Sequence, residues 1–121
     1  MARILIVDDS PTEIHVLKTM LEKNGFETFS AESGEKGVEA AIAEKPDMVL
    51  MDIVMPGMNG FQATRQISIN DETKHIPVII VTTKDQETDR VWGLRQGAKD
   101  YLTKPVDEKT LIEKINALLA G

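Results

Sequence analysis

The sequence has no cysteine, only two histidines and few aromatic residues. Without cysteine the chain cannot form disulfides, thiolate nucleophiles or cysteine-ligated zinc and iron–sulfur centres. Two histidines are too few for a nitrogen-rich metal site, so any bound metal should be a hard cation with oxygen ligands. The apolar run at residues 4–7 is far too short for a signal peptide or a membrane span. We therefore expect a cytoplasmic protein with no membrane insertion.

Composition and charge further restrict the kinds of protein that the sequence could encode. Hydrophobic residues make up 41% of the chain and charged residues 28%, which is typical of a soluble, ordered domain. A length of 121 residues suits one hydrophobic core, so we expect a single domain over residues 1–121. The net charge of −6 argues against general nucleic-acid binding, because the phosphate backbone would repel the protein.

Short apolar runs rich in β-branched residues alternate with segments whose apolar residues recur every three or four positions. The runs predict strands at residues 4–7, 27–31, 48–51 and 78–81, and a brief strand at 101–102. Helices should follow Ser10, Ser33, Asn59 and Asp107, and another helix should begin at about Asp85. The pattern indicates an α/β fold, a doubly wound five-stranded parallel sheet with five helices, and its ligand crevice should lie at the carboxyl ends of the strands.

Several helix ends carry specific signals. The segment Ser10-Pro11-Thr12-Glu13 predicts a capping box with proline at the first helical position. Asn59 and Gln62 predict a second capping box. The fourth helix should span residues 85–96 and end at Gly97, and the fifth should bury a stripe made of Leu111, Ile115 and Leu118, widened by Ile112 and Leu119.

Polar side chains stand at the predicted strand ends. These are Asp8 and Asp9, Asp52, Thr82 and Lys104. Carboxylates brought to one edge of a sheet repel each other unless a cation neutralises them, and Mg²⁺ favours such oxygen ligands. An ionised carboxylate is itself a nucleophile, and a lysine and a hydroxyl can stabilise phosphoryl oxygens. The set therefore suits Mg²⁺-dependent phosphoryl transfer to a carboxylate.

Each of these residues also has an ordinary structural interpretation. The pair Asp8-Asp9 could be a polar loop facing a helix dipole, and Thr82 and Lys104 are common strand and surface residues. Asp52 is the least ordinary, because apolar residues flank it on both sides and burying an unpartnered acid is costly. Their joint occurrence at the strand ends favours the functional interpretation.

The chain resembles the receiver domains of two-component response regulators, the CheY-like family, over essentially its full length. The segments that carry the resemblance are Ile6-Val7-Asp8-Asp9-Ser10, Met51-Asp52-Ile53-Val54-Met55-Pro56-Gly57-Met58-Asn59-Gly60, Val81-Thr82-Thr83 and Asp100-Tyr101-Leu102-Thr103-Lys104-Pro105. The resemblance implies a fold of the flavodoxin-like or CheY-like type, with Asp52 as the phospho-acceptor. It also implies Mg²⁺ ligation by Asp9, Asp52 and the Val54 carbonyl, with Asp8 acting through water.

The resemblance assigns the remaining site residues as well. Thr82 would close onto the phosphoryl group and Lys104 would be its cationic partner. Tyr101 would be an aromatic switch that turns inward when Thr82 moves, and Pro105 would follow a cis peptide bond. The family uses the fourth helix, fifth strand and fifth helix for output to a downstream protein.

Residues 82–92 and 104–108 are most similar to those of PilH-type receivers of type IV pilus chemosensory systems. This implies that the protein takes its phosphoryl group from a CheA-like histidine kinase and acts in twitching motility or chemotaxis-like control. We also expect a monomer. The output could be a signalling contact, or the protein could be a phosphate sink.

Some residues depart from the family pattern, and others are assigned no functional role. Thr83 replaces a smaller residue and would narrow access to the site. Val54 has no polar side chain that could orient a hydrolytic water, so we expect slow unassisted dephosphorylation. Lys84 could either obstruct incoming water or direct it to the site. His15 and His75 are expected to be surface residues, and Trp92 could be either a partner contact or a packing residue.

Two other classes share this topology. A Mg²⁺-dependent phosphohydrolase would need a second acid two residues after Asp52, where Val54 stands. A flavin-binding module would need a phosphate-binding loop after the first strand, and Asp8-Asp9 would repel that phosphate. We therefore expect a signalling protein and not an enzyme.

Overall fold

Strands and helices alternate strictly along the chain in this computed structural model, which describes residues 1–121. The elements are β1 Arg3–Val7, α1 Pro11–Lys23, β2 Glu27–Ala31, α2 Gly34–Glu44, β3 Met48–Met51, α3 Gly60–Ile69, β4 Val78–Thr82, α4 Glu87–Arg95, β5 Asp100–Thr103 and α5 Glu108–Ala120. All strands are parallel, in the order β2-β1-β3-β4-β5. The predicted fold class is therefore confirmed.

Apolar side chains on successive strand residues point to opposite faces of the sheet, which explains the nearly continuous apolar runs. On one face, Leu5, Val49 and Met51 pack with Val38 and Ala41 of α2 and Ala63 and Ile67 of α3. On the other face, Ile4, Ile6 and Leu50 pack with Leu17 and Leu21 of α1 and Leu111 and Ile115 of α5. Helices thus cover both faces of the sheet. No helix combines the length and the apolar character needed to cross a bilayer.

The register of the central strands brings the predicted site residues together. Val7 at the end of β1 lies opposite Met51 at the end of β3, so Asp8 and Asp52 leave the sheet side by side. The Asp52 N–H donates to the Val7 carbonyl over 2.9 Å. Thr82 lies opposite Thr103 in β5, and the next residue, Lys104, donates its N–H to the Thr82 carbonyl over 2.8 Å.

The capping box predicted for α1 is only half formed. The Ser10 hydroxyl accepts the Glu13 N–H over 3.3 Å, but the Ser10 N–H donates to Asp8 Oδ1 at 3.0 Å and not to Glu13. The Glu13 carboxylate instead lies 3.6 Å from Lys104 Nζ, because an ion pair with a cation was available there. The capping box of Asn59 and Gln62 at the start of α3 is confirmed.

One other predicted boundary and one predicted core residue were wrong. Helix α4 begins at Glu87 and not at Asp85, because Lys84 bonds through its N–H and carbonyl to side chains of Thr82 and Tyr101 and the preceding loop is thereby held out of the helix. Leu119 does not widen the buried stripe of α5, since it is 36% exposed in the last turn of the chain. Strands β1, β4 and β5 are one or two residues longer than predicted.

Candidate functional site

Three carboxylates meet at the carboxyl edge of the sheet, as the sequence predicted. Asp8, Asp9 and Asp52 each offer an oxygen, and these oxygens lie within 4.8 Å of one another. Asp8 is buried, the Asp52 side chain is 12% exposed, and Asp9 is open to solvent. The cluster thus has two sheltered acids and one side that faces solvent.

Hydrogen bonds orient the two sheltered acids. Asp8 Oδ1 accepts the Ser10 N–H at 3.0 Å, and Asp52 Oδ1 accepts the Ile53 N–H at 2.7 Å. The other oxygen of each, Oδ2, faces Lys104. Asp9 has no hydrogen-bond or ion-pair partner in the protein, so its carboxylate is available to an external cation.

Lys104 lies among three carboxylates. Its Nζ is 2.7 Å from Asp8 Oδ2, 3.5 Å from Asp52 Oδ2 and 3.6 Å from Glu13 Oε1, and the side chain is only 8% exposed. Burial acts to lower the pKa of Lys104, but the hydrogen bond to Asp8 and the charges of the surrounding acids outweigh it and raise the pKa above its ordinary value. Asp8 is thus the nearest carboxylate to Lys104, and Asp52 and Glu13 lie farther from it.

Glu13 is a residue that the sequence interpretation missed. We assigned its carboxylate to the helix cap, whereas the structure directs it to Lys104. Nothing in the local sequence distinguishes the two roles, because both place Glu13 in the first turn of the same helix.

Thr82 is fully buried at the end of β4. Its hydroxyl accepts the Lys84 N–H at 3.4 Å, and its position beside Lys104 follows from the strand register. Thr83 is exposed, and Val54 is 56% exposed in the loop after Asp52. The structure therefore brings Thr82 and Lys104 to the acids and leaves the Val54 side chain toward solvent.

Tyr101 occupies an inward position on β5. Its ring is 8% exposed, packs with Ile53, Ile80 and Ala98, and its hydroxyl donates to the Lys84 carbonyl at 2.6 Å. Burial, with the charges of nearby acids, raises the pKa of Tyr101 to about 12. Gly93 of α4 makes room for this packing, since a Cβ there would lie 2.6 Å from Ile80 Cδ1 and 3.3 Å from the Tyr101 ring.

The Lys104–Pro105 peptide bond is cis, as the resemblance implied. His15 and His75 are exposed, as expected. Trp92 is half exposed and lines a cavity of about 650 Å³ between α3 and α4, so it is neither a buried core residue nor fully exposed to solvent.

The donor set fits a divalent cation. Carboxylate oxygens are the ligands that Mg²⁺ prefers, and three of them lie close enough to share one ion. Lys104 offsets part of the negative charge without occupying the open side at Asp9. An aspartate, a buried hydroxyl and an ammonium group around one such ion can support transfer of a phosphoryl group to a carboxylate.

Comparison with known proteins gives one consistent picture. The family described as the response regulator receiver domain matches residues 4–116. Protein PilH of Pseudomonas aeruginosa is 71% identical over 121 residues, and the match covers all of both chains. Response regulator PleD of Caulobacter vibrioides is 38% identical over 97% of this chain, which spans 26% of that protein.

Solved structures agree with the sequence relatives. Chemotaxis protein CheY4 of Vibrio cholerae superposes with a TM-score of 0.90 at 27% identity over 98% of each chain. The receiver domain of a sensor histidine kinase from Pseudomonas aeruginosa superposes with a TM-score of 0.92 at 29% identity, covering 99% of this chain and 98% of that one. That structure is described with a magnesium ion coordinated in its active site cleft.

Proposed function

The chain belongs to the response regulator receiver domain family of two-component systems, and from this we propose that residues 1–121 form one phosphorylation-controlled switch that accepts a phosphoryl group on Asp52 from a histidine kinase. The observation that carries the proposal is the meeting of three carboxylate oxygens within 4.8 Å beside the ammonium group of Lys104. Receiver domains are signalling modules, and this geometry suits their reversible modification.

The reaction needs few protein groups. Asp8, Asp9, Asp52 and the Val54 carbonyl would hold Mg²⁺, which supplies positive charge to the phosphoryl oxygens when bound. Asp52 Oδ2 attacks phosphorus, and the bond from phosphorus to the donor's histidine nitrogen breaks, which leaves an acyl phosphate on Asp52. Lys104 pairs with a phosphoryl oxygen, and the Thr82 hydroxyl donates to another.

Phosphorylation would then change a distant surface. The new group brings about two negative charges and three acceptor oxygens, which attract Thr82 and Lys104. Since the Thr82 hydroxyl accepts from Lys84, and the Lys84 carbonyl accepts from Tyr101, a shift of Thr82 disturbs both bonds. We place the output face on α4, β5 and α5, where Tyr101 lies next to the loop that enters α4.

The finer role follows the similarity to Protein PilH. We propose a cytoplasmic monomer that takes its phosphoryl group from a CheA-like kinase and acts in type IV pilus twitching motility, either by contacting a downstream protein or as a phosphate sink. A phosphohydrolase is disfavoured because Val54 stands where a second acid would donate a proton, and an aliphatic side chain has no proton to give.

Incubation with acetyl phosphate and Mg²⁺, followed by intact mass spectrometry, tests the proposal. The wild type should gain about 80 Da, one phosphoryl group, as an acid-stable and base-labile adduct. Asp52→Ala should gain nothing, and chelation of Mg²⁺ should abolish labelling of the wild type. Labelling of Asp52→Ala to the same extent would refute Asp52 as the acceptor, and steady release of phosphate from unrelated phosphomonoesters would favour the phosphohydrolase.

A further inference from the structure

The loop between β3 and α3 has few bonds of its own. Residues 54–58 make no backbone-to-backbone hydrogen bond, and the loop is closed only at its far end, where the Gly60 N–H donates to the Ile53 carbonyl at 2.9 Å. Met55 anchors the loop by packing into the core beneath α2 and α3. The loop begins at Asp52 and contains the Val54 carbonyl, so its shape determines where two of the proposed metal ligands lie.

The first turn of α2 packs directly against this loop. Glu35 Oε2 accepts the Met58 N–H at 3.2 Å, which is the one side-chain hydrogen bond to residues 54–58. The same oxygen lies so close to Gly57 that a Cβ there would be 2.8 Å from it, and Gly57 has a left-handed φ of +74°. A Cβ on Gly34 would be 2.5 Å from the Met58 carbonyl, so the two backbones are in close contact.

We propose that Glu35 is a positioning residue for the metal centre, acting through the loop from Asp52 to Gly60. The inference rests on the function proposed above, and it assigns a role to a residue outside the site itself. Glu35 is exposed and is not one of the carboxylates that meet at the edge of the sheet. Its carboxylate stabilises the loop by accepting the Met58 N–H, which has no other partner in the protein. The loop then loses less conformational freedom when a metal binds, so binding costs less entropy.

Matched variants separate positioning from charge. Glu35→Ala removes the acceptor, whereas Glu35→Gln removes the charge but keeps a carbonyl oxygen that can accept the Met58 N–H. Glu39→Ala is the control, because Glu39 is exposed on the same helix one turn later and makes no hydrogen bond. All variants should fold, since the altered side chains lie at the surface, and far-UV circular dichroism checks this.

Two measurements test the proposal. Hydrogen exchange of the Met58 amide in metal-free protein should be faster in Glu35→Ala than in wild type, Glu35→Gln or Glu39→Ala. Calorimetric titration with Mg²⁺ should show affinity about three- to tenfold weaker in Glu35→Ala and within about twofold of wild type in the other two.

The outcomes are distinguishable from failure of the proposed function. Unchanged Met58 exchange and Mg²⁺ affinity in Glu35→Ala would overturn the role of Glu35 while wild-type Mg²⁺ binding stood. Equal weakening in Glu35→Gln and Glu35→Ala would also overturn it, since charge would then be the cause. Failure of the wild type to bind Mg²⁺ would refute the metal site, and with it any positioning role toward it.

Discussion

The hydroxyl of Tyr101 donates a 2.6 Å hydrogen bond to the backbone carbonyl of Lys84. This bond joins β5 to the loop before α4, and the N–H of the same Lys84 donates to the Thr82 hydroxyl. A single residue of the loop therefore bonds both to the proposed phosphoryl-sensing threonine and to the proposed aromatic switch. The inward position of Tyr101 is observed, whereas its movement with Thr82 stays a prediction.

Titration of Tyr101 should reveal its buried position. The chain has one tyrosine, so the absorbance of tyrosinate reports this residue alone. Its pKa is raised from 10.0 to about 12, because burial and nearby acids disfavour the anion. A raised folded-state pKa stabilises the fold below pH 10, and this contribution is lost as the pH rises from 10 toward about 12.

Spectrophotometric titration of native protein should accordingly give a midpoint well above that of the urea-unfolded chain. The Tyr101→Phe variant should show no tyrosinate signal and a flatter loss of stability at alkaline pH. A native midpoint equal to the unfolded one would show that the Tyr101 ring is exposed in solution.

Removal of the Lys104 charge should weaken the metal-free fold and strengthen Mg²⁺ binding. Lys104→Met leaves Asp8 and Asp52 close together without their cation, so their repulsion increases. Because a competing positive charge is gone, the Mg²⁺ affinity should rise about tenfold. Melting temperatures measured with and without Mg²⁺ check both effects. Phosphorylation by acetyl phosphate should become slower, because Lys104 no longer pairs with a phosphoryl oxygen.

The control for this variant is Lys114→Met, which breaks the partly exposed pair of Lys114 with Asp100 and leaves Asp8, Asp9 and Asp52 untouched. It should alter neither Mg²⁺ affinity nor the Mg²⁺-induced rise in melting temperature.

Since the folded-state pKa of Lys104 is raised, its stabilising contribution persists below its ordinary pKa of 10.5 and is lost as the pH rises beyond that value.

Two buried threonines should respond to the same substitution in opposite directions. Thr64 is fully buried and its hydroxyl has no hydrogen-bond partner, whereas the Thr73 hydroxyl donates to the Ile67 carbonyl at 2.7 Å. Thr64→Val should raise the free energy of unfolding by about 1 kcal/mol, and Thr73→Val should lower it by about 1 kcal/mol. Urea denaturation measures both, and a loss of stability in Thr64→Val would indicate a partner for its hydroxyl.

The acyl phosphate on Asp52 should be long-lived. Val54 is 56% exposed beside the site and has no polar group to orient a hydrolytic water. Removal of acetyl phosphate followed by timed mass spectrometry should show slow decay, and Val54→Asn should shorten the lifetime. Decay of the wild-type adduct within seconds would contradict this, and would implicate another group, such as Lys84, in directing water.

The meeting of Asp8 and Asp52 could be predicted because it follows from strand periodicity and from the parallel pairing of strands. Apolar runs ending at Val7 and Met51 located Asp8 and Asp52 at strand ends, and parallel pairing of neighbouring strands then placed them at one edge. Glu35 and Glu13 could not be found this way. Their contacts with Met58 and Lys104 depend on how helices pack against the loops at the edge of the sheet, which strand periodicity does not specify.

The amino-acid sequence alone determined the alternation of strands and helices, the parallel sheet and the oxygen character of the proposed metal site, because each depends on local spacing and residue chemistry. Tertiary structure alone decided which acid Lys104 contacts most closely, where the Glu13 carboxylate turns and how α2 holds the loop after Asp52. Those outcomes depend on distances of a few tenths of an ångström between elements, and hydrogen bonds and ion pairs are sensitive to such distances while hydrophobic patterning is not.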